Sequence, residues 1–274
     1  VIDKSGKWFT TYHENELAGI IEVPYVQHGN SAYVVVEGPS WQQAEDNAIA
    51  LGGHLVTING QSENDWIYNQ YLTETEDALH IGLYESQDGT YQWISGENAS
   101  FTNWKPGEPN GGSDGVANQF GHIYTNTGLW NDHPDSPLRG IAEIKLSGTY
   151  DSMNSNIHKK PSVVDQLVLE DSLYQIVEGP TWEEAEANAL KVGGNLVSIN
   201  SEYENQWLID TFKDADSSPW IEAYPDIENH PAVDIYWTGL KNNGETWSWS
   251  DGSEANYYNW GIKEPTNDGD KVHL

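Results

Sequence analysis

Residues 36–66 read VEGPSWQQAEDNAIALGGHLVTINGQSENDW, and residues 177–207 read VEGPTWEEAEANALKVGGNLVSINSEYENQW. The offset is a constant 141 with no gap, so the chain carries two copies of one structural unit. Each copy has the same physical reading. The β-branched runs Val34-Val35-Val36 and Ile176-Val177 end at Gly-Pro, which predicts a strand and then a turn. Ser40 and Thr181 are candidate N-caps, with Gln43 and Glu184 at capping-box spacing. Trp41, Ala44, Ala48 and Leu51 share one helical face, and the pairs Gly52-Gly53 and Gly193-Gly194 end the helices. Leu55–Ile58 and Leu196–Ile199 read as strands. Ser62 to about Tyr71, and Ser201 to about Phe212, read as second helices.

Outward from these stretches the pattern changes to short aromatic strands. His80-Ile81-Gly82-Leu83 and Tyr236–Leu240 come first, then Tyr91-Gln92-Trp93 and Trp247-Ser248-Trp249. Phe101–Trp104 and Tyr257–Trp260 each lead into a Glu-Pro loop. The second copy carries an insertion at about 214–234, read as a surface loop, and residues 147–166 form a polar linker. The first copy closes with Trp130-Asn131-Asp132 and then Gly140–Ile144, whereas the second stops at Val272-His273-Leu274. Its missing ending stands at the front of the chain, as Gly6-Lys7-Trp8 and Gly19–Val23. Residues 1–24 are therefore expected to complete the second copy. Three routes are open: closure within the chain, strand addition to a neighbouring chain in a filament, or continuity within a longer tandem array. Completion between successive units is the favoured one, because an unfinished sheet would expose its edges.

Composition narrows the function classes. The 274 residues suffice for roughly two domains, and 13 Trp and 15 Tyr supply aromatic cores. The net charge is −31, from 43 acidic against 12 basic residues, a field that repels nucleic acid and anionic membranes and attracts divalent cations. No apolar run reaches the ~20 residues that span a bilayer, so no membrane insertion is expected. There is no cysteine, hence no thiol nucleophile and no disulfide. Neither Gly-x-Ser-x-Gly nor a phosphate-cradling glycine loop occurs, and the chain is not expected to be an enzyme.

Two stretches carry candidate chemistry. Glu108-Pro109-Asn110 sets two side-chain oxygens around a proline, and Trp130-Asn131-Asp132 adds two more behind an anchoring tryptophan. Two carboxylates and two amides form a hard, all-oxygen donor set of the kind Ca²⁺ accepts.

The Trp-x-x-Ala helix, Gly-Gly-x-Leu-Val-x-Ile, Glu-Asn-x-Trp, the Gly-Leu strand, Asn-Trp-x-x-Gly-Glu-Pro-Asn and Trp-Asn-Asp, in this order and twice over, resemble the C-type lectin-like family. The resemblance implies an α+β fold of two C-type lectin-like domains, each with two helices, small antiparallel sheets and a long calcium-binding loop region. Their bounds are 25–146 and 167–274, with 147–166 as linker and 1–24 as the displaced final strands. It implies Ca²⁺ as cofactor, held by Glu108, Asn110, Asn118, Asn131 and Asp132. It also implies a glycan ligand of the mannose type, whose vicinal hydroxyls meet the ion together with Glu108, Asn110, Asn131 and Asp132. The family's bridging glutamate falls near Asn118 or Gln119, an amide here, with Asp114 close enough to substitute. The second copy has Glu264-Pro265-Thr266 and Trp8-Phe9-Thr10, so no primary sugar site is expected there. The absence of cysteine departs from most animal members and suggests a bacterial-type lineage. The resulting expectation is an extracellular or cell-surface, calcium-dependent carbohydrate-binding adhesin. The alternative is a structural subunit of a fibre or array, self-assembled through residues 1–24, with sugar binding secondary.

Overall fold

The computed structural model describes residues 6–11, 17–71, 78–111, 119–146, 167–212, 236–266 and 269–273. The insertion at 214–234, the linker 147–166, and Asp114 and Asn118 lie outside the described residues. In chain order the elements begin with β1 (Phe9–Thr11), β2 (Ala18–Pro24), β3 (Val26–His28), β4 (Ser31–Val36), α1 (Trp41–Ala50), β5 (His54–Leu55) and α2 (Gln61–Gln70). They continue with β6 (Ala78–Glu85), β7 (Tyr91–Trp93), β8 (Phe120–Tyr124), β9 (Trp130–His133) and β10 (Gly140–Lys145). The second half holds β11 (Leu167–Leu169), β12 (Ser172–Val177), α3 (Trp182–Lys191), β13 (Asn195–Leu196), α4 (Glu202–Phe212), β14 (Tyr236–Asn242), β15 (Trp247–Ser248) and β16 (Lys271–His273).

The chain divides into two compact units. The first is built on residues 25–148 and the second on residues 149–190 and 194–274 together with 1–24. In the first unit the strand order is β3-β4-β10-β6-β8-β9, with β5 on β10 and β7 on β6. In the second it is β11-β12-β2-β14-β16-β1, with β13 on β2 and β15 on β14. The two orders superimpose element for element once β2 takes the place of β10 and β1 that of β9. Register agrees: Lys145 faces Ser31 and Gly140 faces Val36, as Pro24 faces Ser172 and Gly19 faces Val177. Within this single chain the N-terminal strands pair with strands of the second unit, β2 with β12 and β14 and β1 with β16, which fits the expectation that residues 1–24 complete the second copy. Backbone pairing needs only a matching apolar edge, and Ile20, Ile21 and Val23 supply it, all essentially solvent-free.

Local signals explain the helices. Ser40 Oγ accepts from Gln43 N at 3.1 Å, and Thr181 Oγ1 accepts from Glu184 N at 3.2 Å. The indoles that open the helices reach across to the sheet, where Trp41 Nε1 donates to Ile81 O and Trp182 Nε1 to Thr238 O. The second helix of the first unit starts one residue earlier than the serine suggested, with Gly60 as an N-cap that offers no side-chain bond. Only His54–Leu55 and Asn195–Leu196 form ladders. Val56 and Val197 run on as extended chain, bonded through their amides to Ile141 O and Ile20 O. The Trp104 and Trp260 segments are single bridges, to Trp130 and Trp8, rather than strands.

Candidate functional site

The site in the first unit grows from a buried tryptophan. Trp130 is fully buried and its Nε1 donates to Asn64 Oδ1 at 2.7 Å. Asn64 in turn donates to Gly128 O, as does Asn103, so α2 and the 101–104 segment grip the start of β9 together. Strand alternation then puts Trp130 and Asp132 on the buried face, with Asn131 half-buried between them. Lys105 N donates to Trp130 O and Glu108 N to Lys105 O, which carries the Glu108-Pro109-Asn110 turn beside Asp132. The Glu108–Pro109 peptide is cis.

Asp132 organises the turn. Its Oδ1 accepts from Asn110 N at 3.1 Å, and its Oδ2 accepts from Gly111 N at 3.0 Å and from the Tyr91 hydroxyl at 2.6 Å. Burial pushes its carboxyl up, but the Tyr91 hydroxyl and the two amides outweigh that and hold it below the usual carboxylate range. The phenol of Tyr91 is pushed up, by burial first and then by the carboxylate it serves. Glu108 is half-buried, and its Oε2 is shielded from solvent without a hydrogen-bond partner. Burial, followed by the adjacent Asp132 carboxylate, raises its pKa. An unpartnered carboxylate oxygen next to a second carboxylate is a place that a cation would suit. The donors here are oxygen atoms only, and they fit Ca²⁺.

The structure therefore brings Glu108, Asn110 and Asp132 to one place, with Asn131 adjacent on β9. Asn131 Nδ2 donates to Asp132 O, and Asn110 is exposed at the rim. Asn118 is outside the described residues, and Gln119, the other residue considered there, is fully buried. Among the described residues no group of three or more His, Asp or Glu side chains is arranged as a metal cage. The set at Glu108 and Asp132 is accordingly a pair of acids plus amides. Three contributors went unrecognised in the sequence: Tyr91, Asn64 and Asn103. A signal for Tyr91 existed, since the equivalent position in the second copy is Trp247, which lacks the hydroxyl.

The second unit repeats the scaffold and closes the site. Trp8 Nε1 donates to Asn205 Oδ1 at 2.7 Å, and Asn205 and Asn259 both donate to Gly6 O. Thr10 then stands where the first unit has Asp132. Its hydroxyl donates to Glu264 Oε2 at 2.6 Å and lies 2.7 Å from Thr266 Oγ1. Thr10 N and Thr266 N also donate to Glu264 Oε2. The glutamate that is orphaned in one unit is satisfied by hydroxyls and amides in the other.

The Lectin C-type domain family matches residues 37–141 and 178–273. The chain belongs to the C-type lectin domain family. The second match ends at His273, before any counterpart of β10, and β2 fills that place in the sheet. The chain is 25% identical over 263 residues to the secretory phospholipase A2 receptor of Bos taurus, covering 91% of this chain and 16% of the receptor. It is 26% identical over 255 residues to the human C-type mannose receptor 2, covering 86% and 15%. It therefore spans about a sixth of the length of these curated relatives. Among solved structures, the carbohydrate-recognition domain of the mouse scavenger receptor C-type lectin aligns at 24% identity and a TM-score of 0.40, over 45% of this chain and 96% of that domain. These relatives are mammalian receptors, and the bacterial-type lineage inferred from the missing cysteines stays an expectation.

Proposed function

We propose that the chain is a calcium-dependent carbohydrate-binding lectin, not an enzyme, with recognition confined to the first unit. The observation that carries this reading is the solvent-shielded, unpartnered Oε2 of Glu108 beside Asp132. Glu108, Asn110, Asn131 and Asp132 would hold Ca²⁺. A bound ion would supply a Lewis-acidic centre with open coordination for two vicinal sugar hydroxyls. Glu108 orients one acceptor oxygen from a turn fixed by Pro109. Asp132 is locked by Tyr91 and by the amides of residues 110 and 111, so its oxygens are placed before any ligand arrives. Asn110 and Asn131 offer amide donors to the same hydroxyls. The Glu-Pro-Asn order favours mannose-type hexoses with equatorial 3- and 4-hydroxyls. The C-type mannose receptor among the relatives accords with a glycan ligand and with an extracellular or cell-surface setting. No helix of the described residues is long and apolar enough to cross a membrane.

The test is binding of mannose-type glycans by the full chain in calcium and in EDTA, with Asp132→Asn alongside. Expected is binding in calcium only, with at least a tenfold loss in the variant while it still unfolds cooperatively in EDTA. Binding that persists unchanged in EDTA and in Asp132→Asn would overturn the assignment.

A further inference from the structure

The two units differ in how each secures its last central strand, and the difference is a missing cation. In the first unit Glu143 on β10 accepts from Ser31 Oγ at 2.9 Å and from Thr57 N at 3.4 Å, and it pairs with Lys145 Nζ. Glu63 on α2 accepts the Tyr33 hydroxyl at 3.2 Å and Asn59 N at 2.8 Å. Each carboxylate there has its own donors. The second unit repeats the arrangement on equivalent residues. Glu22 on β2 accepts from Ser172 Oγ at 3.1 Å and Ser198 N at 3.4 Å, and Glu204 on α4 accepts from Asn200 N at 2.8 Å. The residue equivalent to Lys145, however, is Pro24, which faces Ser172 as Lys145 faces Ser31.

The hydroxyl of Tyr174 now stands between both acids, 3.3 Å from Glu22 Oε1 and 3.2 Å from Glu204 Oε1. A phenol has one proton and can donate to only one of them. With both acids ionised, the other contact sets two lone pairs against each other. The remaining charged groups that act on the pair worsen this. Glu170, in the β11–β12 turn where the first unit has Gly29, bears on Glu204. Asp251, which accepts from Ser198 Oγ, bears on Glu22. Trp207 packs edge-on against Tyr174 at 5.0 Å and closes the cluster with an apolar wall.

We propose that one proton, shared by Glu22 and Glu204 across the Tyr174 hydroxyl, takes the place of the lysine ammonium and clips β2 onto α4, so that the second unit tightens as pH falls. The acid–phenol–acid chain is then satisfied: the protonated carboxyl donates, and the phenol donates onward to its neighbour. Burial is the first cause that lifts both acids above the usual carboxylate range, and Glu204 reaches about 7. A carboxyl raised in the folded state contributes stability that is complete below its unfolded pKa. That contribution is lost as pH rises through the folded value, here between about 4.5 and about 7. One linked proton limits the effect to about tenfold in the opening equilibrium per pH unit.

The experiment is hydrogen exchange of the full chain in EDTA between pH 5 and pH 8, corrected for the intrinsic rate. The amides of β2 and α4 are compared with those of β10 and α2. Expected is a loss of protection of tenfold or more with rising pH in β2 and α4, and level protection in β10 and α2. Glu204→Gln, whose amide donates permanently, should remove the slope. Pro24→Lys, which restores the ammonium, should do the same and serves if the first variant folds poorly. An equal slope in wild type and both variants, or the same slope in β10, overturns the proposal. Protection restored at pH 8 by calcium alone assigns the cluster to a metal ion and equally overturns it.

Discussion

At the scale of single residues, the proposed difference in recognition between the two units rests on the contrast between Asp132 and Thr10. The positions are equivalent, two residues after a buried tryptophan that is tied to an asparagine of the second helix. A carboxylate at this place leaves the neighbouring glutamate short of a partner, whereas a hydroxyl satisfies it. Thr10→Asp should therefore open the closed site. The substitution removes hydrogen bonds from Thr10 Oγ1 to Glu264 and Thr266 and adds a like charge, at a cost of about 2 kcal/mol in EDTA. Saturating calcium should recover about that amount by mass action. Denaturant unfolding with and without calcium measures it. If the variant responds to calcium no more than the wild type, Glu264 is not a latent ligand. The residue pattern was legible in the sequence as Asn131-Asp132 against Phe9-Thr10. That Tyr91 donates to Asp132 was not legible, because the two residues lie on different strands, separated by 41 positions.

At the scale of elements, glycines set how closely the helix-to-strand connections approach the central strand. A Cβ on Gly194 would lie 2.4 Å from Glu22 O and 2.6 Å from Val23 Cγ2, and one on Gly53 would lie 2.3 Å from Glu143 O. These are the same contact in the two units, and in the second it presses on the strand displaced to the N-terminus. Gly194→Ala should cost about 1–3 kcal/mol, because the strand must shift to admit a methyl group. Gly60→Ala, with nothing within 4 Å, serves as the control and should cost no more than the weaker N-cap it leaves on α2, about 1 kcal/mol or less. Equal destabilisation of both variants by chemical denaturation would show that close approach is not the cause. The Gly-Gly pairs were readable as helix ends. Their second role depends on which strand passes beneath, and spacing along the chain does not contain that information.

At the scale of the whole molecule, the second unit is assembled from the two ends of the described chain. Ile20, Ile21 and Val23 of β2 are buried between β12 and β14, and Trp8 fills the centre of the same core. Burial of each aliphatic side chain is worth roughly 2 kcal/mol, which makes the N-terminal segment indispensable to a domain of ordinary stability. Removal of residues 1–24 should abolish the cooperative unfolding of the second unit and leave that of the first intact. Calorimetry would then show one transition in place of two. Two transitions in the shortened chain would mean that the second unit folds without its displaced strands.

The sequence alone determined the duplication, the helix and strand order, the family and the asymmetry between the two candidate sites. All of these are written in local periodicity, capping residues and short motifs that act within a few positions. Only the tertiary structure showed the register in which β2 and β1 pair, that Asp132 is held by Tyr91 while Glu108 Oε2 is left without a hydrogen bond, and that Tyr174 is claimed by two carboxylates. Those facts join residues from 30 to 264 positions apart. Such contacts follow from how sheets close and cores fill, and a chain read in order does not display them.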